Sequence, residues 1–481
     1  MMTVTEASRE TPLLCEMDVM VVGGGAAGIG AALSAGRNGA KTILIERFGF
    51  LGGCQTLTYN DSYSFIDDHI QGGLIQEIID RLERGGAIHD AVPAAYRGKW
   101  SDKEGCFYFD GEYYKFLLDS MMEEAGVKLL YHAFAVDTIK ENNFIKGVIV
   151  ETHQGRLAIL AKSVIDCTGI ADLTWKSGIS CLGEPGEEGF PDRYNNFKGQ
   201  HMGYGYGYFL SGLDYDKFRK FAEENEQDWD NWVRGRKLFS QAKENGMVHS
   251  LRTSIILNEY PDGRVWMLSP GYTLPKGQHP WMAETLTAGE IDLRKQAWSI
   301  YQLMKNNVPG FENTKIEQTP SRLMFRDGHR IHGEYVLTEE DIRSGKTFDD
   351  AITLCNMPPD LFFPDGSHHF KFDVPPYDIP YRSLLSKDYN NLLAAGGVVS
   401  CDFITWAAVR YCTPSVCTGQ AAGLAAALAA KQNISPKQVD IKVLQDTLNK
   451  QGMMTTNKNL PREVIEEYKR RAKEWGDGFR M

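Results

Sequence analysis

Between positions 326 and 332 the chain places two arginines and two histidines: Arg326, His329, Arg330 and His332. Imidazole changes charge near neutral pH and moves a proton in either direction, whereas a guanidinium holds an oxyanion and keeps its charge. Such a cluster suits acid–base work on a small molecule, with Arg330 as anion clamp, Arg326 beside it, and His329 or His332 as proton carrier. Asp327 and Glu334 are close in sequence, so pairing with these acids, or plain solvation of the run, is the competing reading. Arg410, followed by Tyr411, is a second candidate. His368 and His369 look like a metal pair, but neighbours in an extended segment point to opposite faces and no third ligand has the right spacing, so no metal is expected. Cys54 is a candidate thiolate or cofactor attachment point, against the commoner fate of a buried, inert cysteine.

The elements that must carry these groups begin at Asp18, where D-V-M-V-V reads as a buried strand. It runs into G-G-G-A-A-G-I-G and a helix of small residues, then K-T-I-L-I-E, a second buried strand. Gly23, Gly25 and Gly28 fill G-x-G-x-x-G, making the tight turn, admitting a pyrophosphate and packing helix on sheet, while Ala26 and Ala27 open the helix. The helix N-terminus offers free N–H groups to phosphate. Glu46 closes the second strand where a carboxylate can accept from both ribose hydroxyls, and an acid there disfavours a 2′-phosphate. The expectation is a dinucleotide site. Later segments read as alternating strands with a turn at His153, Gln154 and Gly155, ending at Asp166, Cys167, Thr168 and Gly169. Helices are expected from Tyr215 to Ala242 and from Thr285 to Asn306.

With 481 residues the chain is too long for one simple core, and a net charge of −11 disfavours a nucleic-acid partner. A small-molecule substrate is expected instead. Nine cysteines without a C-x-x-C pair read as a reduced, cytoplasmic protein. The start carries no signal pattern and the longest apolar run, near Ala421, is too short to span a bilayer, so no membrane association is expected. Assembly into a homo-oligomer is left open.

Taken together, the fingerprint, F-L-G-G-C-Q-T at 50–56, R-D-G-H-R-I-H-G-E-Y-V-L-T at 326–338, I-P-Y-R-S-L-L at 379–385 and the T-G-Q-A-A-G-L-A-A-A helix from Thr418 resemble the FAD-dependent oxidoreductase family. This is the family that groups bacterial flavoproteins with the flavoprotein subunit of heterodisulfide reductase. The resemblance implies FAD as cofactor, since Gly52 and Gly53 so soon after the ribose acid are typical of the glutathione-reductase-like FAD fold. It implies an α/β architecture, a Rossmann-type FAD-binding fold with a β-meander crossover and an inserted α+β substrate domain. The segments would be 1–180 and 373–481 for FAD and 181–372 for the substrate domain. FAD contacts are expected from Arg47, Cys54, Ala135, Thr168, Gly169 and Gly396. A helix opening near Thr418 would aim Gly419 and Gln420 at the pyrimidine edge of the flavin. The chain departs from the family where His329 replaces an arginine, His332 is added, and Gly397 stands in place of an arginine after the late strand. Iron–sulfur motifs of the heterodisulfide-reductase relatives are missing.

Position 59 is Tyr59, so Cys54 lacks the partner of a C-x-x-x-x-C dithiol, and the Gly-Tyr run from Gly203 is no second dinucleotide turn. The half-reaction that reloads the cofactor then needs substrate, oxygen or an external electron acceptor or donor. The resemblance implies oxidation or reduction of a small polar organic substrate by hydride transfer at flavin N5. A flavin monooxygenase and a non-catalytic FAD-bound electron-transfer subunit are the alternatives. Trp229, Trp232, Trp266, Trp281 and Trp298 either roof a substrate pocket or fill a core.

Overall fold

A computed structural model of the chain describes residues 3–66, 70–89, 105–183, 189–229, 233–260, 262–370, 374–475 and 479–480. Strands in chain order are β1 (Leu13–Val22), β2 (Thr42–Ile45), β3 (Lys128–Leu130), β4 (Phe134–Glu141), β5 (Phe144–Thr152) and β6 (Gly155–Asp166). A second group follows as β7 (Tyr204–Ser211), β8 (Val233–Arg234), β9 (Ile255–Glu259), β10 (Arg264–Tyr272) and β11 (Lys315–Gln318), and β12 (Leu392–Ala394) comes late. The helices used below are α1 (Ala26–Arg37), α2 (Cys54–Leu57), α3 (Leu74–Arg84), α4 (Asp172–Lys176), α5 (Ala283–Asn307), α6 (Phe403–Val409) and α7 (Cys412–Gln432).

The first sheet has the order β3-β2-β1-β6-β5-β4, with β12 paired beside the end of β6. Its β1, β2, β3, β6 and β12 run parallel, while β4, β5 and β6 form an antiparallel meander. Buried parallel strands read as unbroken apolar runs, which is why V-M-V-V and T-I-L-I are buried throughout. The register puts Val22 beside Ile45 and Asp166, and Asp166 beside Ala394. Four strands therefore end at one level, and ligands of open α/β sheets bind beyond such carboxyl ends. This is a Rossmann-type FAD-fold sheet with the expected meander.

Helix α7 covers α1 at backbone contact. A Cβ at Gly419 would stand 2.1 Å from Ala27 O, one at Gly423 2.1 Å from Ala31 O, and one at Gly30 2.2 Å from Val416 O. Gly30, Gly419 and Gly423 stand in this seam because no larger residue fits at those points, and the 421–430 segment is a largely buried helix. No helix among the described residues is long and apolar enough to cross a membrane.

The second sheet, β8-β9-β10-β7-β11, is antiparallel and carries α5 over its own apolar core. The tyrosine run forms its strand β7. Trp229 and Trp266 are buried in this part of the molecule, whereas Trp298 is 59% exposed; Trp232 lies outside the described residues. The helix expected over Tyr215 to Ala242 is broken into Tyr215–Glu224, Glu226–Trp229 and Arg236–Glu244, with Asn225 and Gly235 at the interruptions. Leu337, Ile342 and Phe363, expected in the inserted segment, join the same core as α1 and α7.

Candidate functional site

At the carboxyl ends of β1, β2, β6 and β12 lies a cleft of about 1430 Å³, its open mouth included. One end is built from backbone. Gly23 has φ +103°, and a Cβ there would meet Cys167 O at 2.5 Å; one at Gly28 would stand 1.8 Å from Gly23 O. Gly53, at φ +56°, faces Gly25 so closely that a Cβ would lie 2.7 Å from the Gly25 Cα. Helix α1 starts here without a side-chain cap, leaving first-turn N–H groups for a ligand. The Glu46 carboxylate accepts from Gly24 N–H at 2.6 Å and Phe48 N–H at 2.9 Å, which orients it at the rim. Arg47 lies over Phe48 and Phe134, beside Ala135 on the cleft wall. Asp166 accepts from Thr168 and Thr174, tying the end of β6 to α4 and setting the turn in which Thr168 and Gly169 line the cleft.

The other end is built from charged side chains. Arg410 Nη2 donates to Asp360 Oδ2 at 2.9 Å and to Asp360 O at 3.0 Å, and Arg326 Nη1 is 3.6 Å from the same carboxylate oxygen. The Arg326 guanidinium carbon lies 3.6 Å from the centre of the Phe362 ring. Burial, and then the positive charge of Arg410, push Arg326 down to about 9. Arg322 lines the same cleft, within electrostatic reach of Arg47, Cys54 and Glu46; burial and the neighbouring Arg47 push it down to about 10, and its Nε has no hydrogen-bond partner. Cys54, the first residue of α2, also lines the cleft, with Sγ 3.2 Å from Thr58 Oγ1.

Several expected residues stand elsewhere. His329, Arg330 and His332 do not line the cleft, because the chain after Arg326 turns into a short strand, Arg330–Ile331, paired with Cys181–Leu182. His329 is sandwiched between Trp175 and Trp281, with ring centres 3.9 and 3.7 Å away. Burial, with His201 and His279 nearby, pushes it down to about 3, so it is neutral and poorly suited to carry a proton at pH 7. Arg330 is fully buried and donates to Cys401 O and Gly328 O, a structural staple. His332 lies 2.7 Å from Lys387 Nζ and 3.3 Å from Ser180 Oγ. Asp327 holds His201 Nδ1 at 2.8 Å, and His201 Nε2 is 2.9 Å from His279 Nδ1. The side chains of His368 and His369 lie outside the described residues. Among the described residues no group of three His, Cys, Asp or Glu could hold a metal.

The late helix also differs from expectation. It opens at Cys412 rather than near Thr418, after Tyr411, which makes no side-chain cap. The residues that face the cleft from it are Tyr411, Cys412 and Ser415. Gly419 is a helix-packing residue, and Gln420 accepts from Leu74 N–H at the start of α3. Gly28, Gly52 and Gly396 act by close packing rather than by lining the cleft: a Cβ at Gly52 would meet Thr56 at 2.4 Å and one at Gly396 the Ala27 Cβ at 2.7 Å. Gly397 takes the place on the wall. Arg322, Asp360, Trp406 and Cys412 are cleft residues that sequence reasoning missed; only Arg322, one helical turn before Arg326 in number, carried a local hint.

A parallel sheet, a glycine turn into a helix N-terminus and an acid on the next strand define a dinucleotide-binding flavoprotein fold. The chain belongs to the FAD-dependent oxidoreductase family, whose model matches residues 18–448, and it is an FAD-dependent enzyme. It is 30% identical over 199 residues to the tRNA uridine 5-carboxymethylaminomethyl modification enzyme MnmG of Aquifex aeolicus, covering 38% of this chain and 30% of that protein. It is 28% identical over 189 residues to thiamine thiazole synthase of Methanococcus vannielii, covering 36% of this chain and 66% of the relative. The match thus spans from under a third to about two thirds of these relatives' lengths. Among solved structures, a geranylgeranyl bacteriochlorophyll reductase-like protein of Thermoplasma acidophilum aligns over 95% of this chain and 97% of its own, at 13% identity and TM-score 0.46. A flavoprotein/dehydrogenase of Cytophaga hutchinsonii aligns over 90% and 84%, at 13% identity and TM-score 0.44.

The residues present fit FAD. Gly25 and Gly53 approach backbone to backbone, a Cβ at Gly53 standing 2.7 Å from the Gly25 Cα, so no side chain from either screens the uncapped helix N-terminus that opens on the cleft. The Nε of Arg322 is a buried donor left over for an acceptor.

Proposed function

We propose that the chain oxidises or reduces a small polar organic molecule held at the Arg326–Asp360–Arg410 end of the cleft. The observation that carries this reading is the continuity of one cleft from the dinucleotide turn to that charged end. FAD, when bound, supplies hydride acceptance or donation at N5. The glycine turn and Arg322 would hold its pyrophosphate, Glu46 its ribose, and the start of α7 would favour negative charge on the flavin's pyrimidine edge. Arg326 and Arg410 bind and orient the substrate. Tyr411, whose phenol burial, with Asp360 beside it, keeps protonated, lines the same end and offers a hydrogen bond to the substrate rather than a mobile proton. An external electron donor or acceptor completes the cycle.

Anaerobic screening of hydroxy acids, unsaturated acids, amines and sugars for bleaching of the bound flavin tests the reading. One compound class that bleaches it supports an oxidoreductase acting on that class. Flavin that none of them bleaches, in a protein that co-purifies with a redox partner, would instead support an electron-transfer subunit.

A further inference from the structure

Among the described residues, the charged end of the cleft brings two guanidiniums to one carboxylate. Arg326 and Arg410 share Asp360, and Arg252 stands behind the Phe362 ring, 4.9 Å from its centre, with Asp360 in electrostatic reach. Arg326 is 6% exposed and Arg252 7%. A guanidinium taken this far from water is stable only with anionic or hydrogen-bonding company. Arg326 Nε and Arg410 Nε are nonetheless buried without a hydrogen-bond partner. Arg326 is held down to about 9 by burial and by Arg410, the behaviour of a cation short of counter-charge.

We propose that this end is a carboxylate-binding subsite and that the substrate is a small organic acid. The inference rests on the redox reading above and names its substrate class. The acid's carboxylate takes donors from Arg326 and Arg410, including the Nε groups now idle. A flat group next to the carboxylate has the Phe325 ring on the cleft wall to lie against. The protein already holds one carboxylate in this geometry: Asp360 sits at 2.9 Å from Arg410 and 3.6 Å from Arg326, leaving the second guanidinium incompletely engaged. Planar, forked donors of this kind match a carboxylate better than a single point charge does. Asp360 is an internal competitor for the same donors.

The test is equilibrium binding to the oxidised, FAD-loaded protein, read as perturbation of the flavin absorption band and as heat of binding. The probes are benzoate, pyruvate and fumarate, each beside its uncharged amide, and inorganic phosphate. At least one acid is expected to bind at least ~10-fold more tightly than its amide and than phosphate. Arg326→Met should weaken that acid by a further ~10-fold or more with flavin content retained, and Arg326→Lys should restore part of the loss. Asp360→Asn, which removes the competitor, should tighten it; a merely structural role for these residues gives no reason for that gain. The proposal is overturned if no acid binds, if amides or phosphate bind as well as the acids, or if Arg326→Met binds like the unaltered protein. Binding that survives without any bleaching would sink the redox reading and leave the carboxylate subsite standing.

Discussion

The two ends of the cleft are made on opposite principles. At the dinucleotide end the ligand meets backbone, and the decisive property of Gly23, Gly28 and Gly53 is the carbon they lack. At the charged end the cleft is lined by side chains, from Arg326 and Asp360, which are buried despite their charge, and from the partly buried Arg410. The first end is damaged by adding atoms, the second by removing charge. The glycine turn and acid of the first are written into a short stretch of chain, from Gly23 to Gly53, whereas the second exists only after segments far apart in sequence have met.

Substitutions should separate the two ends. The largest effect is expected from Gly28→Val, because even the first added carbon would stand 1.8 Å from Gly23 O, beyond the ~1–3 kcal/mol of ordinary overpacking. The variant should emerge from gel filtration without flavin; a yellow Gly28→Val protein would break the backbone account of this end. Arg326→Met should keep its flavin but slow substrate-linked bleaching by roughly 100-fold, about 2.7 kcal/mol, as expected for losing a buried charge contact. Stopped-flow reduction measures this, and loss of flavin instead would place Arg326 at the dinucleotide end. Glu46→Gln should weaken FAD by about 10-fold, ~1.4 kcal/mol, since charge-assisted bonds become neutral ones, with bleaching unaltered once flavin is saturating.

A separate effect, on stability rather than on binding or bleaching, is one of pH. His329 titrates at about 3 in the folded protein against 6.5 ordinarily, so the unfolded chain binds its proton first. Stability contributed by this depression is present above 6.5 and is lost as pH falls from 6.5 toward 3. Asp61 opposes it in part: burial raises it to about 7, and its contribution is lost as pH rises from 3.8 through 7. Denaturant midpoints measured across pH 4 to 7 should therefore show less acid destabilisation in His329→Phe, while bleaching stays normal. Slow bleaching in this variant would return His329 to the catalytic role that its spacing suggested.

Legibility in the sequence followed the same division. The β1-α1-β2 unit, the acid at Glu46 and the meander were readable because apolar runs, glycine spacing and strand alternation are local signals. The start of α7 was misplaced because C-T-P-S looks like a loop, yet proline is tolerated in a first helical turn, where its missing N–H costs no bond. That error carried Gly419 and Gln420 toward the flavin, when their neighbours are α1 and α3. His329 and Arg330 looked catalytic because of their company in sequence. The rings that enclose His329 come from Trp175 and Trp281, and the carbonyl that Arg330 holds comes from Cys401, none of them near in the chain. Asp360 gave no signal at all, since an isolated acid acquires meaning only from the arginines it meets.

The seam between α1 and α7 also sets an order of events in time. On the ribosome β1, α1 and β2 emerge well before β12 and α7, which wall the same cleft from about 350 residues further along, on the order of tens of seconds later at ordinary synthesis rates. Through that interval the small-residue face of α1, with Gly30 and Ala31, has no lid and the nucleotide turn has no far wall. Cofactor capture is therefore expected only once α7 has docked on α1. A nascent chain arrested before Cys412 would present an apolar groove to chaperones rather than a binding site to FAD.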